Sequence, residues 1–217
     1  MSGFTQKEGR RLVEAMVEAI QENAVLLSDL DGVIGDGDHG VNMNKGFTLT
    51  AQRLAGRDWT LTQGLEVLGT ILLEEIGGAM GPLYGSFFGE LARVSADHPV
   101  IDAPVYSAML SAGLEVIQTL GSARVGDKTL VDTLVPAIEA FDQTRKEGTF
   151  SQALAALIQA AERGKDSTKD LVAKIGRASR LGERSRGILD AGAVSCWLLL
   201  RAMAEASLSL LKNSPQR

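Results

Sequence analysis

The sequence predicts an all-α protein, a single domain over residues 1–217 folded as an antiparallel bundle or barrel of eight helices. Three observations predict it. Apolar residues recur at the three- and four-residue spacing of a buried helix face along nearly the whole chain. No run of alternating Val, Ile and Thr is long enough to suggest a sheet. The segments between periodic stretches are short and glycine-rich, as in helices that reverse direction at each end.

The first helix shows its face in Val13, Met16, Val17, Ile20, Ala24 and Leu27. The spacing then predicts helices over 41–55, 61–76, 82–95, 104–121, 130–146 and 150–173. Ala193, Cys196, Trp197, Leu200, Ala204, Leu208 and Leu211 line the last one. Start signals accompany several: Thr60 before Leu61, Pro82 in a first turn, Pro104 after Asp102, and Ser151 after Thr149. The Met residues and both Trp residues read as core or helix-face positions.

Composition narrows the function. A 45% hydrophobic, 23% charged chain is an ordinary globule, and 217 residues suffice for one sizeable core. A net charge of −5 and a pI near 5.2 give no nucleic-acid footprint. An acidic chain that binds a polyanion needs a metal to do so. The one cysteine, Cys196, sits in an apolar run and reads as a buried thiol in a reducing, cytoplasmic setting. No signal peptide is read at the N-terminus, and the greasiest stretch, Cys196 to Leu200, is broken by Arg201, so no membrane span is expected.

The functional signal is the stretch Leu30-Asp31-Gly32-Val33-Ile34-Gly35-Asp36-Gly37-Asp38-His39-Gly40, read as a loop between helices. It puts three carboxylates within eight residues, with no Lys or Arg nearby in sequence. Like charges so close are tolerated mainly around a cation. An all-oxygen set favours a hard divalent ion such as Mg2+ or Ca2+ over zinc. An EF-hand fails on register, because twelve-residue loops from Asp31 or Asp36 end at Asn42 or Phe47 instead of Glu. Asp31, Asp36 and Asp38 are the candidate metal ligands. His39 suits Mg2+ poorly, and its turn is expected to act through its backbone.

Three more polar segments fall between helices: 77–82, 121–129 and 176–192. Several lead into helix N-termini, whose free N–H groups favour phosphate. Gly126-Asp127-Lys128-Thr129 lacks the spacing of a phosphate-binding Walker loop and reads first as a capped helix start. The three Arg between Gly176 and Ser185 read equally as a solvated loop or as phosphate contacts. His98 reads as a loop residue without chemistry.

Four segments in order, LSDLDGVIGDGDHGVNMNKGF, GGAMGPLYGSFFG, VGDKTLVDTLVPA and GRASRLGERSRGILDAGA, resemble the ADP-binding L subunit of bacterial dihydroxyacetone kinases, equivalent to the C-terminal domain of single-chain dihydroxyacetone kinases. They run from about residue 27 to residue 195. The resemblance implies an up-and-down barrel of eight antiparallel helices with a nucleotide site at one rim. It implies a kinase acting on dihydroxyacetone or another short ketose, in glycerol metabolism. Asp31, Asp36 and Asp38 would hold two Mg2+ ions bridging the phosphates of ADP or ATP. His39, Gly40, Val41, Asn42, Ala79 and Met80 would contact phosphate. Gly121 and Leu130 would line the adenine side, and Arg177, Asp190, Ala191 and Gly192 would complete the pocket. No protein nucleophile or other catalytic residue is implied beyond the metal centre.

Three positions depart from the family pattern. Met80 stands where Ser is usual and offers only its backbone N–H; Leu130 replaces Met; and Ala191 replaces the Pro of an Asp-Pro-Gly turn, fixing φ less. The resemblance also implies partners. The sugar would sit on a separate K subunit, and a phosphohistidine M subunit of the phosphotransferase system would recharge bound ADP unless free ATP exchanges instead. The ketose, the donor and the oligomeric state, a homodimer included, stay open. The alternative function is a regulatory nucleotide-binding module that acts on a transcription factor or other partner. A lone phosphohydrolase or cyclase on the same metal centre is a third reading.

Overall fold

In a computed structural model, residues 3–213 are described and form eight α-helices plus a two-stranded ribbon. The helices are α1 (Arg10–Ile34), α2 (His39–Leu54), α3 (Leu61–Glu75), α4 (Met80–Ser95), α5 (Ala103–Leu120), α6 (Val131–Glu147), α7 (Phe150–Ser167) and α8 (Ala191–Asn213). Each packs on its sequence neighbours, and α8 returns to pack on α1, which closes the ring. The result is an up-and-down helical barrel. Its topology has a consequence for function: α2, α4, α6 and α8 all begin at the same rim, so their N-termini gather there.

Local chemistry sets most of these ends. Thr60 and Thr149 each form a full capping box, with Gln63 and Gln152 reaching back three residues later. Asp102 caps α5 by accepting from the Val105 N–H at 3.0 Å, with Pro104 in the first turn. The periodic faces converge on one core in which Phe141 and Phe150 pack around the fully buried Tyr106 ring. Cys196 is buried there, and burial pushes its thiol well above the usual range.

Four expectations need correction. Strands β1 (Gly3–Thr5) and β2 (Val100–Asp102) pair antiparallel, Phe4 opposite Ile101, and bury both side chains at the end of the barrel away from the rim described above. Three-residue strands are too short to show a period of two. The helix expected over 150–173 ends at Ser167, where Thr168–Asp170 tightens into a 3-10 turn. Asp31 lies inside the last turn of α1, not in a loop, because the Gly35 N–H still donates to the Asp31 carbonyl. Finally, α8 is long and apolar enough, by length and composition, to span a bilayer. Much of its apolar surface is instead committed to packing on α1, α6 and α7.

Helices α1 and α2 approach closely at Gly40. A side-chain carbon there would fall on the Ala24 carbonyl and lie 2.6 Å from the Ser28 nitrogen. The glycine is required by backbone-to-backbone packing next to the acidic motif.

Candidate functional site

The acidic motif is shaped by its glycines. Helix α1 stops at Gly35, whose missing side chain leaves room for the Asp31 carboxylate; a Cβ there would collide with it. Gly37 then turns the chain at φ +77°, a left-handed conformation that glycine adopts without strain. Asp38 follows as the residue before α2. The outcome is three carboxylates, one from the end of α1, one from the turn and one from the start of α2. Their oxygens lie within 4.8 Å of one another. The first N–H of α2, on His39, points at the Asp31 carboxylate at 3.3 Å.

Electrostatics register the crowding. Burial, and next the charge of Asp36, raise the Asp38 carboxyl above its ordinary value. Against this stands Arg177, whose Nη1 lies 2.8 Å from the Asp36 carboxylate and 3.8 Å from Asp38. In sequence the motif has no basic neighbour; in space it has one from 141 residues away. The three Arg of residues 177–185 therefore separate: Arg177 faces the carboxylates, within two short 3-10 turns joined at a kink at Gly182.

Beside the carboxylates opens a cleft of about 430 Å³, the size of an ordinary small-molecule site. Asp31, His39, Ala79, Met80, Leu130, Arg177, Asp190, Ala191 and Gly192 line it, so most of the sequence-predicted residues come together. These include the first or capping residues of α2, α4, α6 and α8, which bring four helix N-termini to one cavity. Asp36 and Asp38 stand beside the cleft without lining it, and neither do Gly40, Val41, Asn42 and Gly121. Gly40 is packed against α1, Val41 is 63% exposed, Asn42 donates its N–H to Asp38, and Gly121 ends α5 behind Leu83.

Sequence reasoning expected His39 to act through its backbone and missed the side chains that its imidazole meets. His39 is mostly enclosed, and its Nε2 lies 2.9 Å from the Ser195 hydroxyl, which in turn lies 2.8 Å from the Tyr84 hydroxyl. Tyr84 also donates to the Gly192 carbonyl at 3.2 Å. This chain ties α2, α4 and α8 together behind the cleft. Burial holds the His39 imidazole below its ordinary value, so it stays neutral at physiological pH. Nothing in the sequence marks Tyr84 or Ser195, which look like helix-face positions. Lys128 and Thr129 also line the cleft. The Gly-Asp-Lys-Thr run, read as a capped helix start, was the available signal for them.

Asp190 caps α8 by accepting from the Ala193 N–H at 2.7 Å. Burial pushes its carboxyl up to about 6, with the Lys128 charge pulling the other way. A carboxyl raised in the folded state holds its proton better there than when unfolded. Its stability contribution is therefore full below about pH 4 and lost as pH rises through about 6. Asp190→Asn keeps the cap and removes the charge. The melting temperature of the variant relative to wild type should climb between pH 4.5 and pH 7.5. After discounting for the part of the residue that solvent reaches, about 1 kcal/mol, or ~3 °C, is expected. A pH-independent difference in thermal melts would remove the assigned titration.

Comparison with known proteins places the chain. The DAK2 domain model matches residues 33–205. The chain is 40% identical, over 88% of its own length and 92% of the relative's, to the ADP-binding subunit of PEP-dependent dihydroxyacetone kinase 1 of Listeria innocua. It is 37% identical, over 83% and 87%, to the ADP-binding subunit of the PEP-dependent dihydroxyacetone kinase of Escherichia coli. Among solved structures, the dihydroxyacetone kinase from C. freundii in complex with AMP-PNP and Mg2+ superposes with a TM-score of 0.68 at 24% identity. That match covers 89% of this chain but only 33% of the other, and at this identity it establishes the fold alone.

Proposed function

The chain belongs to the DAK2 domain family, and from that premise we propose that it is the nucleotide-holding, phosphotransferase subunit of a dihydroxyacetone-type kinase. It acts as one L-type domain, holds ADP or ATP through two Mg2+ ions, and passes phosphate to a short ketose bound on a separate K subunit. A cytoplasmic phosphohistidine M subunit, or exchange with ATP, renews the donor. The observation that carries the reading is the convergence of four helix N-termini on one cleft, with a cluster of three carboxylates at its edge that enters it through Asp31.

The residues present fit the metal. Asp31, Asp36 and Asp38 form an all-oxygen donor set, partly open to solvent, of the kind hard ions take. Two divalent ions on three carboxylates would leave one net positive charge, which offsets the field of an acidic chain toward a polyphosphate. Phosphoryl transfer asks a protein mainly for positioning and charge neutralisation. The N-termini of α2 and α4 face the cleft at His39 and Met80, where the Met80 N–H, and the His39 N–H once released from the Asp31 carboxylate, can meet phosphate oxygens. Met80 offers no hydroxyl, so its contact is through the backbone. Arg177 can turn its guanidinium from Asp36 to phosphate as the cation load on the aspartates changes. Leu83, Leu130 and Ile175 give the cleft an apolar wall suited to a base. Asp190, Ala191 and Gly192 hold the start of α8 against it.

Native mass spectrometry of the purified chain tests this. The expected result is a mass gain of one ADP plus two Mg2+, carried through purification or acquired on adding both. Turnover of dihydroxyacetone only when a K-type subunit is added should follow. Absence of any nucleotide adduct would refute the metal–nucleotide reading. An adduct without turnover in the presence of the K-type subunit and a phosphate donor would favour the regulatory module.

A further inference from the structure

Among the described residues, Lys128 is the one non-glycine with positive φ, at +64°, and its side chain is 1% exposed. A left-handed lysine carries backbone strain, and burying an ammonium is costlier still unless it is fully bonded. Such a residue persists where the surrounding structure over-determines it. Here the surroundings are specific. The Asp132 carboxylate accepts from the N–H groups of both Gly126 and Thr129, at 2.5 and 2.7 Å, and so folds the 126–129 turn around Lys128. The ammonium then donates to two carbonyls, Thr168 at 2.5 Å and Ile188.

Those two carbonyls are the two ends of one loop. Between them the chain has no α-helix and carries Arg177 at its far side. Other bonds close the same neck: the Gly187 N–H donates to the Lys169 carbonyl at 2.7 Å, and the Asp190 N–H to the Thr168 hydroxyl at 3.1 Å. Long irregular loops with joined ends are commonly functional, and their position depends on what holds the neck. Gly176, Gly182 and Gly187 all have positive φ within this loop, so its shape is not held by regular structure.

We propose that Lys128 is a positioning residue: its ammonium staples the two ends of the 168–188 loop, and through them sets Arg177 over the Asp36 and Asp38 carboxylates at the mouth of the cleft. Lys128 itself need not touch the nucleotide. The nucleotide part of this inference rests on the function proposed above; the staple does not. Burial lowers the ammonium's pKa, and the nearby charges of Asp190 and Asp132 oppose that shift.

The test uses the 217-residue chain and four variants: Lys128→Met, Lys128→Arg, Arg177→Gln and the Lys128→Met/Arg177→Gln double. Hydrogen exchange reads the staple without any ligand. Lys128→Met should speed exchange of amides in 169–187 by about tenfold or more, the loss of two charge-assisted bonds, while amides of α1 and α3 stay protected. Lys128→Arg, which keeps a charged donor, should restore part of the protection and guards against a variant that simply unfolds. ADP titrated in Mg2+ reads the positioning. Lys128→Met and Arg177→Gln should each weaken binding, and the double should be no weaker than Arg177→Gln alone. Unchanged exchange in 169–187, or loss throughout the barrel with no rescue by Arg, would overturn the staple. Additive losses in the double variant would overturn action through Arg177. If wild type binds no ADP, the function proposed above fails, while the exchange result still decides the staple.

Discussion

Asp36→Asn is expected to weaken ADP binding in Mg2+ by about a hundredfold or more, since removing one ligand charge from a shared metal centre forfeits several kcal/mol of charge stabilisation. The fold should survive. Asp36 sits in an exposed turn, and its charge is one of the causes that raise Asp38. Relief of that repulsion, offset by loss of the Arg177 pair, should leave the melting temperature within about 2 °C of wild type. Calorimetric titration with ADP checks both halves when run with Mg2+ and again with a chelator. Wild type in chelator should fall to the level of the variant. A variant that binds ADP as tightly as wild type in Mg2+ would remove Asp36 from the metal centre, and equal wild-type affinity in chelator would remove the metal altogether.

Gly40→Ala is the second large effect, and it acts on stability. The added carbon would meet the Ala24 carbonyl and the Ser28 nitrogen, both backbone atoms of α1 that cannot move without shifting the helix. Overpacking against flexible side chains costs about 1–3 kcal/mol, and a backbone clash belongs at or above the upper end. At about 3 kcal/mol the melting temperature of a chain this long should fall by ~10 °C. Gly77→Ala is the control. Nothing lies within 4 Å of a carbon at that position, so a change within about 0.5 kcal/mol is expected. Equal melting temperatures for Gly40→Ala and wild type would mean that α1 and α2 do not pack as described. The same glycine resembles a phosphate contact by sequence. The two roles are compatible, because the packing uses its missing side chain and a phosphate would use its N–H.

Much of the molecule could be read from the chain alone, and the reasons are local. Helix periodicity shows in successive turns, so all eight helices were legible, most within two residues of their observed ends. Thr60, Thr149 and Asp102 act on N–H groups three residues away and could be assigned as start signals without a structure. Asp31, Asp36 and Asp38 are legible for the same reason: eight residues of chain bring them together wherever the rest goes. The turns that end these elements are less legible. Periodicity runs the seventh helix to residue 173, whereas at its observed end the Thr168 carbonyl accepts from a lysine forty residues earlier, a partner no local pattern shows.

Only the tertiary structure decided the rest. The pairing of Arg177 with Asp36 spans 141 residues and requires α8 to close on α1. Lys128 looks like a surface residue at a helix start and is instead among the most buried side chains, because two ends of a distant loop converge on its ammonium. The hydroxyls of Tyr84 and Ser195 look like helix-face groups and meet His39 only once α2, α4 and α8 share a rim. Sequence spacing determines which groups a single turn or helix can present. Which of them face one another depends on ring closure, a property of all eight helices at once.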